Sequence, residues 1–322
     1  MSAQLLCLTH SQRSMDFSRA TLNFLTARYA RPDRLKNLPP LDSLADEKVH
    51  GFVGNVTLWE WSGRPSEIPI LRTFIAKSYK AQHACVARGK LLICGTAFLE
   101  IYPQHGPYEV PEATLTHPWF AGAHTVSVDP LGRIAVSCSA PDAVLFFDWS
   151  GNYLGAWRLP DELYGPGYRL EGTEDLRAHY IGNDLQIAHI NAAFPFRDGL
   201  ICSSLIPGAI GAFDGRGVYR ELLRGFVGAH GARGAENGGF YFCDSCNGLL
   251  TACDAESRIQ RRFKLESVWL HDALQLADDI FLCAVSDRNT FELWNARTGE
   301  CYWKLACSEY GATTQFISAS LC

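Results

Sequence analysis

Short apolar runs alternate with polar turns along most of the chain, and the runs repeat. HACVARGKLLICGT from His83, HTVSVDPLGRIAVSCSA from His124, HINAAFPFRDGLICSS from His189, HGARGAENGGFYFCDS from His230 and HDALQLADDIFLCAVS from His271 follow one plan. A short strand opens with His, a turn often carries Gly or Asp, and an apolar strand ends in Cys and a small residue. The intervals between these His are 41, 65, 41 and 41 residues, and 65 is 41 plus an insertion of 24. Another 42 residues beyond His271, the GAT of Gly311–Thr313 stands where GAH stands at Gly122 and Gly228.

A second pair of strands follows each unit. AVLFFDWSG (143–151), AIGAFDGRG (209–217) and TFELWNARTG (290–299) end in an acidic or amide residue with Gly close behind. Asp or Asn at the first turn position and Gly near its end suit a tight antiparallel turn. LLTACDAES (249–257) keeps the Asp without the Gly, and FLEIYPQHG from Phe98 departs further. Each repeat therefore predicts four strands, A (His-led), B (Cys-ended), C and D. A period near 40 with several short strands per repeat is the sequence form of a β-propeller. A further blade is assembled from both ends, with 313–320 as A and 4–10, 55–63 and 69–76 as B, C and D. Sharing a blade between the termini removes an exposed sheet edge. The expectation is all-β: one domain over 1–322, a six-bladed propeller whose N-terminal strand closes the last blade.

Two insertions interrupt the pattern, at 11–54 and 160–188. In the first, Ser14 or Asp16 caps a predicted helix to about Ala30, with Phe17, Ala20, Phe24 and Leu25 on one side, ended by Pro32 and Pro39-Pro40. Both insertions are expected on the face where the A strands begin, as a lid over the channel mouth.

His124 to Leu154, HTVSVDPLGRIAVSCSAPDAVLFFDWSGNYL, resembles the NHL-type six-bladed propellers, whose repeat runs apolar–Asp–Pro–x–Gly, a strand, then a phenylalanine–Asp turn. The resemblance covers most of the chain as architecture and is specific in that one repeat. It implies a propeller and leaves the role open, because many NHL-type propellers are interaction modules.

Strand A lines the central channel of a propeller. His83, His124, His189, His230 and His271 at one register predict a ring of imidazoles at one mouth, with Thr313 in the remaining place. Neutral imidazole ligates Zn, Cu, Fe and Ni, and three or four on one ion leave a position for water, oxygen or substrate. The arrangement is similar to the His-bound metal of the peptide-amidating lyases and to the four-His iron of the carotenoid oxygenases. That similarity implies an Fe(II) centre first, then Cu or Zn, and an oxidoreductase acting on a small organic substrate. Zn-assisted lyase or hydrolase chemistry is the alternative. Two other uses of the His remain open: a structural hydrogen bond within the blade, as the Gly-His pair makes in WD-type propellers, and direct proton chemistry without metal. Calcium is disfavoured because it takes oxygen ligands. Tyr164, Tyr168, Arg169, Glu174, Asp175, Arg177 and His179 in the second insertion, with Arg233, Glu236 and Thr313, are candidates to touch substrate.

Composition narrows this only a little. With 47% hydrophobic and 20% charged residues and a net charge of −5, nothing points to nucleic acid or an anionic membrane. No run of 18 apolar residues is present, and MSAQLLCLTHSQ lacks the basic and long apolar segments of a secretion signal. A cytoplasmic protein with reduced thiols is the expectation for the 12 Cys. Cys7, Cys94, Cys138, Cys202, Cys243 and Cys283 read as one packing position in strand B. Cys243-Asp-Ser-Cys246 is a weak CxxC. No nucleophile elbow, P-loop or dinucleotide fingerprint occurs.

Overall fold

The computed structural model describes residues 4–12, 54–77, 81–164, 175–178, 186–306 and 314–321. Apart from short helical turns these residues are strands, in six four-stranded antiparallel sheets. In chain order, β1 (Gln4–Gln12), β2 (Gly54–Trp61) and β3 (Ile70–Lys77) come first. Blade one is β4 (His83–Ala87), β5 (Lys90–Cys94), β6 (Leu99–Pro103) and β7 (Ala113–Leu115). Blade two is β8 (Ala123–Val128), β9 (Ile134–Cys138), β10 (Ala143–Phe147) and β11 (Tyr153–Arg158). Blade three is β12 (Ile190–Phe196), β13 (Gly199–Ser204), β14 (Ala209–Phe213) and β15 (Tyr219–Arg224). Blade four is β16 (Ala229–Gly234), β17 (Phe240–Asp244), β18 (Leu249–Cys253) and β19 (Ile259–Lys264). Blade five is β20 (Leu270–Ala277), β21 (Ile280–Val285), β22 (Thr290–Asn295) and β23 (Glu300–Ala306).

These five blades are each contiguous in sequence. The remaining sheet is stitched from both chain ends in the order β24-β1-β2-β3, where β24 is Thr314–Leu321. Its register pairs Cys7 with Ser320 and Leu58. Around the axis β4 packs on β8, β8 on β12, β12 on β16 and β16 on β20, and β24 packs on both β20 and β4. The inner strands thus form a closed β-propeller ring.

Burial explains why the blades stack. β9, β10 and β17 are buried along their whole length, so each blade offers apolar side chains on both faces. Leu92, Ile101, Val126 and Val136 fill the seam between blades one and two, and Ile201, Ile210, Ala232 and Phe242 that between three and four. Both seams of the stitched sheet are filled as well, by Val56 and Leu58 against Ala84 and Leu91, and by Trp59 and Trp61 against Leu293 and Trp303. Outer strands are polar: in β19, Gln260, Arg261, Arg262 and Lys264 are exposed, which discourages pairing with another sheet edge.

The turn signature between C and D has a direct cause. Asp148, Asp214, Asp254 and Asn295 each accept two main-chain N–H groups of their own turn. The turn needs a left-handed residue near its end, which Gly151 and Gly217 supply at φ 88° and 83°. In the repeat that lacks this Gly, Ser257 adopts φ 67° instead. The helix expected within 11–54 lies outside the described residues.

Candidate functional site

The ladders give each A strand an exact register. Cys94, Cys138, Ser204, Asp244 and Val285 hold equivalent places, because each pairs with the first residue of its C strand across a four-residue turn. Their partners on the A side are His83, Ala123, Ile190, Ala229 and Leu270. The five His therefore do not share one register, contrary to the sequence expectation. His124, His230 and His271 do share one. Asn191 fills that place in blade three, and His189 stands two residues ahead of it. His83 stands one residue ahead. The chain enters each A strand at a different point, and β-bulges fall at His124, Asn191 and His271 while His230 pairs with Cys243.

A one-residue offset reverses the facing of a strand side chain. His83 accordingly sits where the other contiguous blades place Ala, Ile, Ala and Leu, and it is fully buried. Its ring lies 5.5 Å from that of Phe194 in blade three, and the Val126 N–H donates to its Nδ1 at 3.5 Å. Burial, and then the Arg233 guanidinium, hold His83 well below the ordinary histidine range. His83 is a core histidine.

The other four form an arc across blades two to five. The rings of His124 and His189 are 4.7 Å apart, and those of His230 and His271 are 4.8 Å apart. In each pair one ring is buried (His189, His230) and the other partly exposed (His124, His271). His189 links the pairs by acting electrostatically on His230. The His230 Nδ1 is 2.8 Å from the Gly228 carbonyl and 3.0 Å from Ser245 Oγ. A carbonyl only accepts, so Nδ1 carries the proton and Nε2 the lone pair. Burial first, then the imidazole of His271, push the His230 pKa well down; the Gly228 carbonyl opposes this and His189 adds to it. His230 is neutral at pH 7.

Beyond the arc the axis is filled. Phe194 reaches His83 on one side and on the other lies under the Arg233 guanidinium, 3.7 Å from Cζ to the ring centre. Arg233 Nη2 donates to Asp272 Oδ2 at 2.7 Å across the seam between blades four and five. Arg233 was expected to meet substrate; it is committed to this buried pair. Glu236 is exposed in the A-to-B turn past the end of β16, away from His230.

Part of the second insertion packs on the loops beside blade two. Leu176 packs on Ala121 and Ala140, its N–H donates to the Pro118 carbonyl at 2.8 Å, and Arg177 bonds to Asp175 and Thr116. Ala121 leads into β8 and Ala140 into β10, so this contact lies on the face where the A strands begin. Tyr164 ends a single helical turn, Asp161–Tyr164. Tyr168, Arg169, Glu174, His179 and Thr313 lie outside the described residues.

The residues fit a transition-metal centre poorly. Among the described residues no three His, Cys, Asp or Glu side chains come together as ligands. The imidazoles that meet do so in two pairs, His124 with His189 and His230 with His271. The B-strand Cys also occupy more than one register, since Cys94 and Cys138 end their ladders while Cys243 lies one rung in and Cys202 and Cys283 two. All five are buried, with burial raising the thiol pKa of Cys138, Cys202, Cys243 and Cys283. Two residues with a part in the arc's geometry went unnoticed in the sequence. One is Asn191, which donates to the Ala229 carbonyl at 2.8 Å and accepts from Ser203 Oγ at 2.6 Å. The other is Asp142.

No protein-family model and no curated protein matches the chain. Solved structures do. A catalytically inactive virginiamycin B lyase from Staphylococcus aureus, determined with quinupristin, superposes with a TM-score of 0.54 at 10% identity, over 84% of this chain and 88% of that one. A protein of unknown function from Bacteroides caccae gives 0.59 at 10% identity, over 99% of each chain. A nidogen/laminin complex gives 0.58 at 10% identity, over 98% of each. Likeness at this identity is likeness of fold, and the class it defines is the β-propeller. No helix among the described residues is long and apolar enough to cross a membrane.

Proposed function

We propose that this propeller, read as a ring of six blades, binds a small organic molecule at the histidine-lined mouth. There it carries out metal-free proton transfer of the elimination (lyase) type. The observation that carries the reading is the pairing of a buried with a partly exposed imidazole, twice, along one arc. Enzymes place imidazoles where burial tunes them, and acid–base partners separate by environment. His271, partly exposed beside the buried and neutral His230, serves as base. His124, partly exposed and paired with the buried His189, serves as acid.

In the proposed step His271 removes a proton from a carbon of the substrate. The C–H electron pair becomes the new double bond, and the departing group leaves with its bonding pair and a proton from His124. One structural neighbour is a lyase, but that likeness is of fold, and the reaction class rests on the imidazoles.

The test is an NMR screen of a small-molecule library against the 15N,13C-histidine-labelled chain. Hits are expected to shift His124 and His271, to leave His83 still, and to be lost in His271→Gln. Hits that touch none of these rings overturn the reading. Stoichiometric uptake of Fe(II), Cu or Zn that broadens several of these rings together replaces it with a metal centre.

A further inference from the structure

We propose that Asp142 is the positioning residue of the histidine arc: from the B-to-C turn of blade two, its carboxylate holds the backbone around His189 so that this imidazole meets His124. The inference rests on reading the arc as the working site.

In blades two to five the four-residue B-to-C turn ends in a left-handed residue. That place holds Gly208 at φ 59°, Gly248 at φ 58°, Asn289 at φ 55° and, in blade two, Asp142 at φ 48°. Glycine takes this conformation without strain and Asn or Asp tolerates it. The turn itself therefore gives no reason to prefer Asp over Gly.

The surroundings do. In blades three and four the chain leaving strand D folds tightly over the turn, and a Cβ on Gly208 or Gly248 would meet the Phe226 or Ser267 carbonyl oxygen at 1.8 or 2.3 Å. Blade two differs because the insertion begins after its D strand, and residues 186–189 come back onto the turn. The departure leaves room for a side chain. The Asp142 carboxylate uses it to accept the Ala188 N–H at 3.1 Å through Oδ2 and the Ile190 N–H at 3.3 Å through Oδ1.

Between those two donors lies His189, itself at φ 55°, in the place that Gly122 and Gly228 hold in blades two and four. A non-glycine residue in that conformation persists only where the structure around it is over-determined. Here the Leu205 N–H donates to the His189 carbonyl at 3.1 Å, the Ile206 N–H to the Ala188 carbonyl at 3.1 Å, and the carboxylate grips both flanks.

Burial raises the Asp142 pKa to about 6, opposed by the main-chain N–H groups of Ala188, Ile190, His189 and Ile187. The nearest titratable side chains on the returning chain and on β8 are His189 and His124. On the C–D side Arg158 is drawn toward Asp161 at 3.7 Å.

The experiment uses the full chain with two variants the turn accepts, Asp142→Asn and Asp142→Gly. Read-outs are the ring-to-ring NOE between His124 and His189, the amide shifts of Ala188 and Ile190 against pH, and thermal melting. The native chain is expected to show the NOE and an amide titration with a midpoint at about 6. Both variants are expected to melt cooperatively and to lose the NOE and the titration. A retained NOE in either folded variant overturns the proposal. If neither variant folds, the native chain still decides, since amides of Ala188 and Ile190 that ignore pH between about 4 and 8 also overturn it. Library hits on His124 and His271 report on the site separately, so failure of the positioning role and failure of the site are read by different signals.

Discussion

The Arg233 guanidinium and the Asp272 carboxylate meet at 2.7 Å across the seam of blades four and five, with 8% and 5% of their surfaces exposed. The Phe194 ring covers the cation from the axial side. A charge buried this deeply is tolerated only with its partner. Arg233→Met leaves Asp272 uncompensated and is expected to remove about 3–5 kcal/mol of stability in urea unfolding. The double variant Arg233→Met/Asp272→Leu is expected to recover most of that loss. Single losses that simply add in the double variant contradict the pairing. Gly231→Ala probes the same contact, because its φ of 57° and a Cβ meeting Asp272 Oδ1 at 2.5 Å both resist a side chain.

His83 and His271 look alike in the repeat and are expected to behave differently. His83→Leu places an apolar residue where blade five already has Leu270, so unfolding free energy should change by no more than about 1 kcal/mol and ligand hits should persist. His271→Gln should leave stability alone and lower turnover of any substrate found by at least about 100-fold. A His83 variant that loses ligand while folded would return His83 to the site.

Stability against pH carries the signature of Asp142. Its folded-state pKa, about 6, lies above the ordinary carboxylate range. The folded state therefore binds the proton more tightly. That contribution is complete below about pH 4 and is lost as pH rises through about 6, with an upper bound of about 3 kcal/mol. His83 and His230 work in the opposite sense: their depressed values give stability above the ordinary histidine range that is lost as pH falls below it. Subtracting the Asp142→Asn curve from the native one isolates the first term. A difference that is flat between about pH 4 and 7 contradicts the assignment.

Thiol reactivity separates the Cys. Cys138, Cys202 and Cys283 are fully buried with raised pKa values, whereas Cys85, Cys246 and Cys301 are partly exposed. Alkylation of the folded chain at pH 8, followed by peptide mass spectrometry, is expected to mark the second group first. Early labelling of Cys202 would show that the blade interior opens.

Much of the fold was legible because the signals are local. The Asp148 and Asp214 turns announce themselves through side chains that bond their own backbone. The pairing of 4–12 with both 54–61 and 314–321 follows from the need to cover sheet edges. The site was less legible, because a motif spacing counts residues while a ladder counts rungs. The chain enters its A strands at different points, with His83 on the last rung and His189 left-handed ahead of it, so five His that align in sequence separate into one core residue and four arc members. Asp142 escaped notice because its partners are main-chain N–H groups 46 and 48 residues away, which leave no trace in composition.

The central claim is that imidazoles of four successive blades share one channel mouth, with His230 neutral among them. A 15N-histidine NMR titration of the native chain, repeated with each divalent metal and with a library hit, tests it most directly. The account predicts that His230 stays in the neutral Nδ1–H tautomer through the ordinary histidine range, that His124 and His271 respond to the hit, and that His83 responds to neither hit nor metal. A His230 that titrates near its ordinary value, or a single metal equivalent that shifts His83 together with the other four, contradicts it.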